Sequence, residues 1–228
     1  MAATFRAADI NAVGGTTSVT GDDPGATVGD TLWAFLTIRG TQSITAVPSG
    51  WTLYDSIDGG GVNDCILLVY TSTYVSGSTW TWTRSASTGG HAITIVAVYD
   101  DGGETPDAYA ESDTGSGTTH DAATITVVAD ALQLAVCGWM DSAGNALSTP
   151  PSGYTEVADD NHTAGALRAG QSVHWAQLGA GATGAKTITI DQTVSGVTMH
   201  VSISPAATSS GAAALHYYKT MAARSNAQ

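Results

Sequence analysis

The sequence predicts an all-β protein, a β-sandwich or jelly roll built from two sequence-similar halves with a C-terminal extension. Three observations carry this. Strand-like runs dominate the chain, some alternating polar and apolar residues with period two, as in TITID (187–191) and HVSIS (200–204), others nearly all apolar, as in ITIVAVY (93–99). Turn signals separate these runs at short intervals, among them DDPG (22–25), PSG (48–50 and 151–153), DGGG (58–61), TGG (88–90) and GAGATG (179–184). One pattern also occurs twice. GDTLWAFLTIRG (29–40) then PSGWTLYDS (48–56) is matched by ADALQLAVCGWM (129–140) then PSGYTEVAD (151–159). In a repeat, a residue type present in both copies serves the common fold, and a feature of one copy alone marks where a site can lie.

In chain order, residues 1–15 are expected to form an N-terminal arm. Residues 16–100 make the first β half, opening with TTSVTGDD (16–23). Its strand DCILLVYTSTY (64–74) is apolar on both faces, so it belongs inside the sheet packing. A Thr/Trp-rich strand, a Gly turn and a long strand close the half (79–100). Residues 101–117 are acidic and Gly-rich and are expected to be a connecting loop. The second β half, 118–208, opens with TTHDAATITVVA and ends with KTITIDQTVSGVTMHVSISPA (186–206). About five or six strands are expected per half, pairing into one sandwich, because a half of this length with few aromatics would have a thin core alone. Residues 209–228 form a C-terminal arm with Leu215, Tyr217, Tyr218 and Met221.

Composition excludes several functions. Charged residues make up 12% of the chain and the net charge is −13, with two Lys and five Arg. A phosphate backbone needs several cationic contacts, so neither nucleic acid nor an anionic membrane is an expected partner. No apolar run is long enough to span a bilayer, and MAATFRAADIN lacks the regions of a signal peptide. Cys65 and Cys137 lie in apolar strands and are expected to be buried hydrophobes.

The candidate chemistry is sparse. GAGATG has the letters of a dinucleotide fingerprint, but a Thr-rich strand follows where a helix must begin. His91, His120, His162, His174, His200 and His216 are scattered, with no metal-binding spacing. His120–Asp121 has no nucleophile motif beside it for a hydrolytic triad. Asp outnumbers Glu by 17 to 3, and the pairs Asp22–Asp23, Asp100–Asp101 and Asp159–Asp160 are turn residues that could hold a structural calcium. No other cofactor is expected. Asn161-His162-Thr163 is a glycosylation sequon by letters only. Trp80 and Trp82 share one face, as a sugar platform would require. The second copy carries Ile188 and Ile190 in the same alternation, and Tyr154 answers Trp51, which points to core positions.

Gly29-Asp30-Thr31-Leu32, Pro48-Ser49-Gly50-Trp51-Thr52, Pro151-Ser152-Gly153-Tyr154-Thr155 and Pro106-Asp107-Ala108 together resemble a β-sandwich module. That module recurs in virion structural proteins of tailed bacteriophages and in some bacterial surface proteins. The resemblance covers roughly residues 10–206, and Ala129-Asp130-Ala131-Leu132 departs from the GD-x-L opening. It implies a structural or adhesive module with no catalytic residues. The expectation is a non-enzymatic virion subunit, a capsid decoration or cement protein or a tail accessory protein, assembled in the host cytoplasm. It would touch other virion proteins and form a homo-oligomer, with a trimer favoured. Phe5, Ile10, Leu215, Tyr217, Tyr218 and Met221 would be its partner-binding anchors. The alternative is a carbohydrate- or receptor-binding adhesin. A polysaccharide depolymerase has least support, because it needs paired carboxylates in a groove and Glu occurs only at 104, 111 and 156.

Overall fold

The computed structural model describes residues 2–60, 64–99, 108–141, 146–161 and 168–205. The described residues form strands and turns, with no helix among them and so none that could cross a membrane. The first half contains β1 (Thr4–Gly14), β2 (Ser18–Asp22), β3 (Thr31–Arg39), β4 (Ile44–Ala46), β5 (Thr52–Asp58), β6 (Cys65–Thr73), β7 (Thr79–Arg84) and β8 (Gly90–Tyr99). The second contains β9 (Ala108–Ala122), β10 (Thr126–Val127), β11 (Leu132–Asp141), β12 (Ser148–Thr149), β13 (Thr155–Asn161), β14 (Arg168–Ala176), β15 (Gly181–Ala182) and β16 (Lys186–Ile203).

The all-β expectation holds, and the strand order shows how the halves relate. The first large sheet runs β1-β8-β3-β6-β5. In the second, β9 pairs with β16, which is followed by β11, β14 and β13. The order is therefore the same in both. The small sheet β2-β7-β4 of the first half also has a counterpart, the end of β9 with the start of β16 and β12. The difference is continuity: β1 and β2 of the first half correspond to the single long strand β9 in the second, and β7 and β8 to the single long strand β16.

The large sheets lie face to face, and their contacts are exchanged by a two-fold operation. β1 meets β13 where β9 meets β5, and β8 meets β14 where β16 meets β6. This is the pattern of an isologous dimer interface, here within one chain. The interface is the main core. Trp33, Phe35, Leu67, Val69, Val96 and Val98 of the first half pack on Leu132, Leu134, Val136, Val173, Met199 and Val201 of the second. Each large sheet also has an outer face with its own cluster, around Trp82 and Ile95 in the first half and around Trp139 and Ile188 in the second. The chain is thus one shared sandwich with an additional layer on each side. β6 is buried on both faces, as its sequence predicts.

A polar group crosses the central layer. Gln171 accepts from the Thr94 hydroxyl at 2.5 Å and donates from Nε2 to Thr37 Oγ1 at 2.8 Å. All three residues are buried, so the bonds satisfy groups that would otherwise be costly to enclose. Cys65 and Cys137 are free and buried, and burial pushes the Cys65 thiol up to about 12.

The PSG motif has a plain cause. Trp51 N–H donates to Pro48 O and Tyr154 N–H to Pro151 O, closing the same four-residue turn. Gly50 and Gly153 hold its left-handed position at φ 87° and 83°.

Five expectations need correction. Among the described residues each half has eight strands where about five or six were expected, because strands as short as β4, β10, β12 and β15 leave no periodic pattern. Residues 4–14 are not a free arm, because β1 is hydrogen-bonded to β8 along its length. Residues 108–117, placed in a connecting loop, belong to β9 and pair with β16; alternating small polar residues suit an exposed edge strand as well as a loop. The repeat is also offset by one residue at its opening. Thr52, Thr71 and Trp33 are cross-strand neighbours, and so are Thr155, Trp175 and Leu134. Trp33 therefore answers Leu134 and Leu32 answers Gln133. Consistently, Gly29 answers Asp130, and both are left-handed, at φ 96° and 64°. The same pairing makes Ile188 the counterpart of Trp82, and Lys186 that of Trp80.

Candidate functional site

With the register fixed by the ladders, one surface separates the two halves chemically: the outer face of each large sheet. In the first half it is apolar, with Leu32, Leu36, Leu68, Tyr70, Ile93 and Ile95 around Trp51 and Trp82. The positions answering them in the second half are Gln133, Cys137, Ser172, His174, Thr198 and His200, around Tyr154. All seven are buried. A shift of one residue exchanges the two faces of a strand, so matching Leu32 with Leu132 hides this contrast. The available signal was the alternation in LQLAVCGWM, which sets Leu132, Leu134, Val136 and Met140 on one face and Gln133 and Cys137 on the other.

The centre of the polar face is a chain of hydrogen bonds. The Tyr154 hydroxyl lies 2.8 Å from His200 Nε2 and 2.8 Å from Gln133 Oε1, and His200 Nδ1 lies 2.9 Å from Ala123 O. A carbonyl only accepts, so Nδ1 carries a proton. Burial is the main cause lowering the His200 pKa, which favours the neutral ring. Nε2 is then an acceptor and Tyr154 donates to it. The Tyr154 oxygen is left to accept, while Gln133 Nε2 lacks a partner. Turning that amide by half a rotation brings Nε2 to the hydroxyl and completes the chain from Gln133 through Tyr154 and His200 to Ala123. Lys186 Nζ lies 5.7 Å from the centre of the Tyr154 ring, where Trp80 meets Trp51 in the first half.

Towards the β13 edge lies a second group. His174 Nε2 is 3.1 Å from Ser172 Oγ and 3.4 Å from Ser148 Oγ, and Ser148 N–H donates to Asp159 Oδ2 at 2.7 Å. Burial pushes the His174 pKa down to about 4. Asp159 is pushed up to about 6, by burial first and then by the charges of Glu156 and Asp160, against the lowering effect of the Ser148 bonds. These are the residue types of a hydrolytic triad, without its geometry. A triad histidine has one nitrogen on the nucleophile and the other on a carboxylate. Here His174 Nδ1 is buried without a partner, Asp159 bonds a backbone amide, and a ring titrating near 4 is a weak base at neutral pH.

His120 is held by Thr114 Oγ1 at 2.5 Å and Gly117 O at 3.2 Å, while Asp121 accepts from the Thr187 hydroxyl at 2.6 Å, so the two do not act together. His91 is buried in β8, and His162 and His216 lie outside the described residues. Asp22, the last residue of β2, accepts from the Thr79 hydroxyl across the ladder, and Asp23 accepts from the Gly25 and Ala26 amides and the Tyr74 hydroxyl, closing a turn. Asp159 and Asp160 lie within β13 and are not the turn residues expected; Asp160 accepts from the Asn161 amide. Asp100 and Asp101 lie outside the described residues. Among the described residues no three His, Cys, Asp or Glu are gathered for a metal ion. GAGATG supplies β15, which pairs with the sequence-distant β10 in a separate two-stranded sheet, and the strand β16 follows it. Asn161 is buried at the end of β13. Across β5 and β9, Asp55 and Glu111 are hydrogen-bonded carboxyl to carboxyl; burial and the Asp55 charge raise the Glu111 pKa. A glycosidase keeps its two carboxyls about 5 Å or more apart, so this contact pair does not have that geometry.

Of the expected partner anchors, Phe5 stacks on Trp175 with ring centroids 5.4 Å apart, and both Phe5 and Ile10 pack against the shared core. Leu215, Tyr217, Tyr218 and Met221 lie outside the described residues. Trp82 is core, as the repeat implies, and Trp80 is half-buried beside it. Comparison with protein-family models, with curated proteins and with solved structures finds no match to this chain.

Proposed function

We propose that this chain is a non-enzymatic structural subunit of a tailed-bacteriophage particle, a head decoration or tail accessory protein. The observation that carries the reading is the direction in which the polar groups face. His174, His200, Tyr154, Gln133 and Ser172 are buried in a closed layer, where Tyr154 bonds Gln133 and His200, and His174 bonds Ser172. Two surface cavities are lined by other residues, and neither includes a carboxylate. A body that joins both halves through one core, with its polar chemistry enclosed, suits a load-bearing role better than turnover. The PSG[WY]T turns that resemble phage virion modules support the same reading.

The C-terminal residues 209–228 are the proposed attachment to neighbouring subunits, through Leu215, Tyr217, Tyr218 and Met221. The test is deletion of 209–228 in a particle-assembly experiment. A truncated protein that melts like the full chain but is missing from purified particles supports the proposal. Normal incorporation of the truncation removes the arm from it, and absence of the full chain from particles removes the function.

A further inference from the structure

The tryptophan pair of β7 is divided by the fold. Trp82 is fully buried, whereas Trp80 is half-buried and lines a cavity of about 280 Å³ at the corner between β6 and β7. Tyr74, Leu32 and Val75 supply further apolar wall, and Ser49, Ser72 and Ser76 bring hydroxyl groups.

The indole is held on several sides. Trp51 meets it edge-on at 5.5 Å and Tyr74 at 6.2 Å. The Tyr74 ring is itself fixed, because its hydroxyl donates to Asp23 at 2.8 Å. Gly77, left-handed at φ 138°, comes so close that a Cβ there would lie 3.2 Å from the indole Cζ2. An aromatic platform fixed before binding loses little freedom when a ligand arrives.

The lining selects a chemical class. It contains no Lys, Arg, Asp or Glu, so it offers no partner to an ionised ligand. Its hydroxyls would be stripped of water by a wholly apolar one. A neutral ring with an apolar C–H face and a rim of hydroxyls meets both conditions, and the volume, near the lower end for small-molecule sites, suits one such ring. The second half has no equivalent cavity wall: Lys186 answers Trp80, Ala176 answers Ser72 and Leu178 answers Tyr74. We infer that this corner binds one neutral pyranose unit of a saccharide, with Trp80 as the stacking surface and one site per chain.

The proposal is independent of the particle role. The full chain, ¹⁵N-labelled at its tryptophan indoles, is titrated with methyl glucoside, methyl galactoside, methyl N-acetylglucosaminide and oligosaccharides ending in each. The Trp80 indole signal is expected to move saturably, while the buried Trp33 and Trp139 signals stay in place. Movement with the free glycosides identifies a single-unit site; movement with oligosaccharides alone identifies a glycan-chain site that includes the corner. Ser76→Trp changes an exposed residue at the mouth, and is expected to weaken binding by roughly tenfold or more at an unchanged melting temperature. No movement with any sugar, or full binding by a folded Ser76→Trp, overturns the proposal. Neither outcome bears on incorporation into particles.

Discussion

Tyr154→Phe isolates the polar layer of the second half, because it removes one oxygen and leaves the ring. That oxygen makes two contacts of 2.8 Å, to His200 and to Gln133, and all three groups are buried. Without it, His200 Nε2 and the Gln133 amide lose a partner in a place that water does not reach. An orphaned buried group costs about 1–3 kcal/mol, so a loss of about 2 kcal/mol is expected. For a chain of this length that lowers the melting temperature by about 4–8 °C. The urea midpoint should fall with no change in slope, since the surface exposed on unfolding is the same. The first half supplies the control. There the answering positions are Trp51, Leu32 and Ile95, so the layer can also be built without polar groups. Gln133→Leu and His200→Ile added to Tyr154→Phe remove the orphaned partners too. The triple variant is expected to lose less than the three single losses added together. A Tyr154→Phe variant within about 0.5 kcal/mol of the parent, or strictly additive losses, would refute a coupled network.

Three further outcomes are expected. Gly170 lies beside Trp139 in the ladder, and a Cβ there would meet the indole Cε2 at 2.2 Å, so Gly170→Ala should destabilise by about 1–3 kcal/mol, while Gly179→Ala, with open space around it, should change the urea midpoint little. His174 titrates near 4 when folded against 6.5 as a free group, so the unfolded chain binds the extra proton first and stability is lost as pH falls from about 6.5 towards 4; His174→Phe should flatten the stability–pH curve over that range. Asp159 has the opposite sign, since its folded pKa of about 6 exceeds the ordinary 3.8 and its charge is a burden once pH rises through that interval. Asp159→Asn should therefore stabilise the protein at pH 7.5, by about 1 kcal/mol after allowance for its partial exposure, and a variant that is less stable there would show that the carboxylate contributes favourably.

Much of this architecture could be read from the chain. The short, β-branched apolar runs of β6 and β8 marked strands buried on both faces, and the polar–apolar alternation of TITI in β16 marked a strand with one buried face. The PSG turns were legible because Gly at a left-handed position has few substitutes. The sandwich joined across the halves followed from how little core one half could bury. Other features were beyond local pattern. β9 is written in small polar residues, which suit an exposed edge strand and a loop equally. The division of Trp80 from Trp82 depends on where Trp51 and Tyr74 come to lie.

Outside β1 and the start of β9, the amino-acid order by itself determined the kind of element, the main turns and which residues share a face, because each of these depends on neighbours along the chain. Tertiary structure decided the register between halves, and with it the polar layer. Gly29 and Asp130 adopt the same left-handed turn although one has a side chain and the other does not. A comparison of letters aligns the aspartates instead, and misplaces β11 by one residue against β3. Only hydrogen bonding to β14 and β16 fixes which side of β11 meets the central core, since each ladder commits every second side chain to one face.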